Sequence, residues 1–420
     1  MKIAIIGSGI SGLSCAYLLN RQHDITVFES GHTLGGHTAT KDVMLNDVGY
    51  AVDTGFIVYN DWTYPNFIKL MDELKVETKA TDMSFSVSCE SSGLEYGGSN
   101  LNTLFAQRRN IFKPRYWKML QDIMRFNKEA IVDFELERVD PSSTLEHYLQ
   151  IRGYSRAFID DYLIPMGSAI WSASTQTVLN FPLVFFIRFF KNHGLLSVNN
   201  RPQWRVISGG SRSYLEPLTA SFHDKIITHS HVESVARDEQ GVTIHIRGCE
   251  PQYFDSVVFA CHSDQALEML SDSSVEEQRI LGSIPYKNND VVLHTDIRLL
   301  PKRKLAWSSW NYLKTDCKKD QHQAPAITTY NMNILQGITA PETFCVTLNA
   351  TKKIDPDKIL GQYQYTHPVF SLASEAAVKH WNDINGVNRS WFCGAYWGNG
   401  FHEDGVKSAV RVAEGLGVSW

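Results

Sequence analysis

Residues 3–12, IAIIGSGISG, restrict what this chain can fold into more tightly than any other stretch. Ile3-Ala4-Ile5-Ile6 is a short, unbroken apolar run, suited to a strand buried in a parallel sheet. Gly7, Gly9 and Gly12 follow in GxGxxG spacing, with Ser8, Ile10 and Ser11 between them. In that spacing the first glycine makes the tight turn and the second lets a pyrophosphate approach the backbone. The third lets the helix pack closely on the strand. Ser11 to Leu19 reads as that helix, whose amino end attracts phosphate. Ile25-Thr26-Val27-Phe28 reads as a second strand. Glu29 closes it 17 residues after Gly12, where a carboxylate accepts hydrogen bonds from ribose hydroxyls and repels a 2'-phosphate.

The same segment raises the question of an export signal or a membrane helix. Gly7, Ser8, Gly9, Ser11, Gly12 and Ser14 interrupt its apolar run, and Asn20-Arg21-Gln22-His23 follows without a small-residue cleavage site. Both points argue against export. Nowhere do about eighteen apolar residues run together, so no spanning helix is expected. At 420 residues the chain exceeds one simple core, and two lobes are the default. A net charge of -5 gives no global pull toward nucleic acid. The seven cysteines, at 15, 89, 249, 261, 317, 345 and 393, form no CxxC pair. They suggest neither a disulfide framework nor a metal site, and fit a reducing cytosol.

NAD and FAD share the opening fingerprint, so the rest of the chain must separate them. Gly35-Gly36-His37-Thr38 follows the acid, and Trp204 to Arg212 leads into a hairpin pattern. There His231–Val235 and Val242–Ile246 alternate around Asp238-Glu239-Gln240-Gly241, before the buried-type strand Val257-Val258-Phe259-Ala260. At the C-terminus Trp391–Cys393 reads as a strand and Gly394, Gly398 and Gly400 as a flexible loop. Asp404 is expected as the N-cap of a helix carrying Val406, Ala409, Val410, Ala413 and Leu416 on one side. A second helix amino end approached by glycines suits negative charge on the N1–C2=O edge of a reduced flavin, or is simply a terminal helix docked on the sheet. A plain NAD dehydrogenase leaves this segment unexplained.

These segments together resemble the flavin-containing amine oxidase and protoporphyrinogen oxidase superfamily along essentially the whole chain. The stretches VDTGFIVYNDWTYPNF, MSFSVS, LNTLFAQRRN, IPMGSAIWSA and CGAYWGNGFHEDGVKSA are similar, more closely still, to a bacterial family described as NAD/FAD-binding proteins. That resemblance implies modification of unsaturated or methylated fatty-acyl chains. It implies an α/β architecture: a discontinuous Rossmann-like FAD-binding domain (1–57, 203–270 and 387–420) and an α+β substrate domain (58–202, largely helical, and 271–386). It implies non-covalent FAD. Glu29 would sit at the adenosine ribose and the backbone of Val232 at the adenine, with Ser30 and Ala260 also among the cofactor-binding residues. Gly55, Phe56 and Ile57 would pass along the isoalloxazine. Gly394, Glu403, Asp404, Gly405 and Val406 would line the pyrimidine edge and ribityl chain. His37 stands where the superfamily usually has arginine, and Ala395 where it often has an acid. No covalent-attachment motif is evident; Cys393 and His37 are the residues to check.

For the substrate side, residues 101–130 hold seven Lys/Arg against two acids, interleaved with Phe105, Phe112, Tyr116, Trp117 and Phe126. They fit either a peripheral contact with an anionic membrane surface, on the inner face of a cytoplasmic enzyme's membrane, or an ordinary amphipathic helix. FPLVFFIRFFK at 181–191 fits an apolar tunnel wall or plain core. Phe56, Tyr59, Trp171, Tyr396, Trp397 and Phe401 crowd the expected flavin; Tyr396 and Trp397 would guide an amine or exclude water. His193, Tyr59, His402 and Glu403 are candidate proton acceptors. The reaction expected is hydride transfer from a C–H of a large apolar substrate, a lipid acyl chain, to flavin N5. Amine or porphyrinogen oxidation, double-bond isomerisation and a non-catalytic flavoprotein are the alternatives. The sequence leaves the oligomeric state open. Gly9→Glu is expected to abolish FAD binding by blocking the pyrophosphate; flavin absorbance of the purified variant checks this, and stoichiometric FAD would overturn it.

Overall fold

The computed structural model describes residues 1–197, 201–315 and 327–420; Cys317 lies outside them. Five strands, β1 (Lys2–Ile6), β2 (Asp24–Phe28), β3 (Ile226–Ile227), β4 (Ser256–Phe259) and β5 (Ser390–Phe392), form a parallel sheet in the order β3-β2-β1-β4-β5. One sheet is therefore assembled from three separated parts of the chain. The opening apolar run is β1, with Ile5 in register with Val27 on one side and Val258 on the other.

Alternation along these strands feeds two cores. Ile3, Ile5, Ile25, Val27 and Val258 pack with helix α1 (Ile10–Leu19). Ala4, Ile6, Phe28, Val257 and Phe259 pack on the opposite face with the antiparallel sheet of Val232–Arg237, Val242–Ile246 and Gln252–Phe254. Nine of the ten α1 residues are buried. Its small side chains, Ser11, Gly12, Ser14, Cys15 and Ala16, allow it to lie between the sheet and the C-terminal helix.

A second, seven-stranded sheet holds Phe85–Cys89, Glu95–Gly97, Tyr286–His294, Trp310–Lys314, Ile327–Asn331, Cys345–Leu348 and Ile359–Pro368. Trp204–Ile207 pairs with Tyr59–Asn60 and Thr78–Thr81 in a small sheet of its own. Residues 101–135 are not one continuous helix. They form the short helix Leu101–Leu104, a 3-10 segment Arg108–Phe112, and the 22-residue helix α2 (Pro114–Glu135). Helix α3 (Leu183–Asn192) carries the phenylalanine run. Phe185, Phe186, Phe189 and Phe190 are at most 3% exposed and pack with Phe181 and Trp171, so the run is core. The terminal helix α4 (His402–Gly415) starts three residues earlier than expected, with Phe401 and not Asp404 as its N-cap. Asp404 is its third residue, and its carboxylate reaches back to accept from the Phe401 N–H at 3.0 Å. Among the described residues no helix is long and apolar enough to cross a membrane.

The sheet and its covering layer are joined by a buried ion pair. Arg237, with a side chain 2% exposed, donates two hydrogen bonds to Glu277, at 2.5 and 2.9 Å, and one to Ser390 Oγ at 2.9 Å. Arg237→Ala strands the buried Glu277 carboxylate, and is expected to lower stability by about 3–5 kcal/mol; denaturant titration measures it, and a loss under about 1 kcal/mol would contradict the role.

Candidate functional site

At the carboxyl end of β1 the three glycines serve three different geometric needs. Gly7 has φ +109°, and a Cβ there would lie 2.7 Å from the Ala260 carbonyl oxygen. A Cβ on Gly12 would lie 2.0 Å from the Gly7 oxygen, a contact only glycine permits. A Cβ on Gly9 meets nothing within 4 Å. The open side of the loop is thus at Gly9, where the chain enters α1. Gly405 brings α4 to the same point: its Cβ would meet Ser11 Oγ at 2.8 Å and Ile10 Cγ2 at 2.9 Å. The amino ends of α1 and α4 are side by side, and each carries positive partial charge.

Glu29 lies at the loop. Its carboxylate accepts from Ser8 N–H at 3.0 Å, from Ser8 Oγ at 2.6 Å and from Gly31 N–H at 2.7 Å, with Ser30 Oγ at 3.4 Å. Gly35 N–H donates to Ser8 O at 2.9 Å, so the second glycine pair is fastened to the first loop. Phe56 N–H donates to His37 O at 2.7 Å, and Gly55 has no Cβ to clash there. Val232 begins the antiparallel sheet, and Ala260 N–H closes on Ile6 O at 2.8 Å.

An aromatic and imidazole wall continues from this loop. His37 is surrounded by the rings of Tyr365, His367 and His262, at centroid distances of 5.4, 5.3 and 6.3 Å. Burial, then the neighbouring His367 and His262, push its pKa down to about 3. His402 stacks on Phe56 at 3.5 Å, and its Nε2 lies 3.2 Å from both Thr38 Oγ1 and Tyr214 OH. Burial holds its imidazole well below the usual range. Among the described residues, Tyr396 OH, Trp397 Nε1 and His37 Nε2 are buried without a hydrogen-bond partner. Ile57 is buried in the neighbouring core.

Other candidates are engaged elsewhere. The Glu403 carboxylate accepts from Asn66 Nδ2 at 2.6 Å and Phe67 N–H at 2.9 Å, capping the helix Pro65–Glu73. Burial pushes Asp404 up to about 6. His193 caps α3: Nδ1 lies 2.9 Å from Phe189 O, Nε2 3.4 Å from Thr63 Oγ1, and burial pushes its pKa down to about 4. Tyr59 packs with Tyr64 and Phe67. Cys393 Sγ points at Ser11 O, 3.6 Å away. Gly394 N–H donates to Ser408 Oγ of α4 at 3.0 Å.

Sequence reading missed the hub of the site, Asp53. Its fully buried carboxylate accepts from Thr40 Oγ1 at 2.6 Å, Ser211 N–H at 2.9 Å and Gln336 Nε2 at 2.7 Å. It therefore joins the end of the Val48–Asp53 strand, just before Gly55–Ile57, to the Gly209-Gly210 turn and to Gln336 after the short helix Met332–Leu335. The glycine pair was a signal: a Cβ on Gly210 would come 2.5 Å from Thr40. His262, His367 and Tyr365 were also missed, because each comes from a distant segment.

The profile of the family described as flavin containing amine oxidoreductase matches residues 10–329. Cyclohexylamine oxidase from Brevibacterium oxydans has a similar structure, with TM-score 0.69 and 15% identity over 99% of each chain. So does a CLA-producing fatty acid isomerase from P. acnes, with TM-score 0.69 and 14% identity over 98% of each chain. At these identities the likeness shows the fold alone. A 15-cis-phytoene desaturase from Synechococcus elongatus is 37% identical over 89 residues, 21% of this chain and 18% of that protein.

Removing the Asp53 carboxylate leaves Ser211 N–H and Gln336 Nε2 without an acceptor, and leaves the Thr40 hydroxyl only Ser211 Oγ, 3.3 Å away, to donate to. Asp53→Ala is therefore expected to cost about 2–4 kcal/mol. Burial raises the Asp53 pKa to about 6, above its ordinary 3.8. Its stabilising contribution is full below about pH 4 and falls as pH rises through about 6. The difference between wild type and variant in thermal unfolding should shrink from acid to neutral pH; a difference that grows would contradict this assignment.

Proposed function

This chain belongs to the flavin-containing amine oxidoreductase family and is an FAD-dependent oxidoreductase; on that premise we propose that its hydride donor is a C–H bond of a large apolar substrate, a lipid acyl chain, and that its FAD is held without a covalent bond. The observation that carries the reading is the wall of side chains beside the glycine loop. It is built of aromatic rings and of imidazoles that burial keeps neutral, and the carboxylates near it, Asp53, Glu403 and Asp404, are already taken by neutral donors of the protein. Segments 1–57, 203–270 and 387–420 make up the proposed cofactor lobe.

The residues present fit the cofactor. The space over Gly9 and the paired helix amino ends suit a pyrophosphate and the flavin's pyrimidine edge. Glu29 would exchange its Ser8 contacts for ribose hydroxyls. His37 adds a point of detail. Its ring hydrogen-bonds the Thr366 backbone. With that nitrogen donating, the unpartnered Nε2 is an acceptor, matched to a ribityl hydroxyl better than to a phosphate oxygen. When bound, FAD supplies the hydride-accepting centre. The chain's part is to orient the C–H, to exclude water with Phe56, Tyr396 and Trp397, and to set dipoles against negative charge.

Anaerobic addition of phospholipids with unsaturated and methyl-branched chains is expected to bleach the absorbance of the bound flavin. Unchanged absorbance, with FAD stoichiometry confirmed, would overturn lipid dehydrogenation. Bleaching by amines or porphyrinogens would move the donor class, and double-bond migration without bleaching would indicate isomerisation.

A further inference from the structure

The start of α2 and the segment before it form a surface that the redox site does not use. Phe112 is 84% exposed, Leu101 75%, Trp117 45% and Ile111 42%. They are neighbours. Trp117 Nε1 donates to Ile111 O at 2.7 Å, and the Trp117 ring meets Phe105, whose N–H donates to Leu101 O. Tyr116 and Phe126 point the other way, into core. One side of the aromatic series thus anchors the segment and the other is left in solvent. Exposing a patch of this kind is unfavourable unless something covers it.

The charge around the patch is one-sided. Residues 101–120 contain Arg108, Arg109, Lys113, Arg115 and Lys118 and no Asp or Glu, in a chain of net charge -5. Arg108 and Arg109 hydrogen-bond only neutral oxygens, of Asn102, Phe105 and Gly93. Lys118 pairs with Asp122 at 3.2 Å. Beside the patch lies a cavity of about 270 Å³, lined by Lys113, Arg115, Lys314, Ser91, Ser92 and Cys89 among others. Its one carboxylate, Asp161, is shared by Arg115 at 2.8 Å and Lys314 at 3.5 Å. Lys113 has no ion-pair partner among the described residues, and stands as N-cap of a 22-residue helix with no acid in its first turn. Cations where a helix already carries positive partial charge oppose each other unless an anion is bound.

We propose that this face docks on an anionic lipid bilayer. Phe112, Trp117, Leu101 and Ile111 enter the headgroup boundary, Arg108 and Arg109 lie over lipid phosphates, and the Lys113 cavity takes one anionic headgroup. Exposed large apolar side chains beside Arg108, Arg109 and Lys113, which have no carboxylate partner among the described residues, fit that occupant, since a nucleic acid would engage the charge and leave Phe112 in water. The docking stands independently of which molecule reduces the flavin.

Flotation of the holoprotein with vesicles tests it. Binding is expected to phosphatidylcholine vesicles containing phosphatidylglycerol and not to phosphatidylcholine alone, and is expected to weaken as salt rises. Phe112→Ser with Trp117→Ser, and separately Arg109→Glu with Lys113→Glu, should each reduce binding at least tenfold while the flavin spectrum and melting temperature stay unchanged. Wild-type protein that remains unbound, variants that float as wild type does, or binding of inorganic phosphate with no vesicle binding would each overturn the proposal.

Discussion

A backbone contact that admits no side chain organises this protein. Gly12 lies so close to Gly7 that a methyl group would come within 2.0 Å of the carbonyl oxygen. That approach lets α1 lie flat on β1 and Ala260. Gly405 repeats the device from the other end of the chain, against Ile10 and Ser11. Two helices nearly four hundred residues apart in sequence thereby start at the same place. Their amino ends bring positive partial charge to a spot that Gly9 leaves open, with Glu403 and Asp404 in the first turn of α4 turned to Asn66, Phe67 and Phe401.

Around that spot the protein works with dipoles and neutral rings more than with ions. Burial makes the imidazoles of His37 and His402 neutral. The nearby carboxylates are occupied: Glu403 with Asn66 and Phe67, Asp404 with Phe401, and Asp53 with a cluster of donors. An enzyme of the flavin-containing amine oxidoreductase family needs a dry site where the flavin's own reactivity is not diverted by water. A cluster of cations without carboxylate partners among the described residues, Arg108, Arg109 and Lys113, lies elsewhere, at the start of α2, together with the exposed Phe112 and Trp117.

Local pattern predicted local structure well. The apolar run, the glycine spacing and the alternating hairpin correspond to β1, α1 and the Val232–Arg237 and Val242–Ile246 strands, because each is decided by neighbours within a few residues. The boundary of α4 was misplaced for a comparable reason. Asp404 is a good N-cap by type, yet Gly398 makes room for its side chain to turn back and accept from Phe401, so the helix begins earlier. The phenylalanine run could be read as tunnel or core, since composition does not say what packs opposite. Trp171, Phe181 and Phe370 settle it as core.

By itself, then, the sequence determined a dinucleotide fold, a Glu29 carboxylate at the end of β2 and a second glycine-led helix, through spacings whose physical meaning is local. Only the tertiary structure decided what surrounds them. It placed the Asp53 hub, the imidazole wall of His37, His262 and His367, and the division of residues 101–126 into buried and exposed aromatics. Those depend on contacts between segments hundreds of residues apart, where burial changes a side chain's charge and a neighbour's shape determines which face meets water.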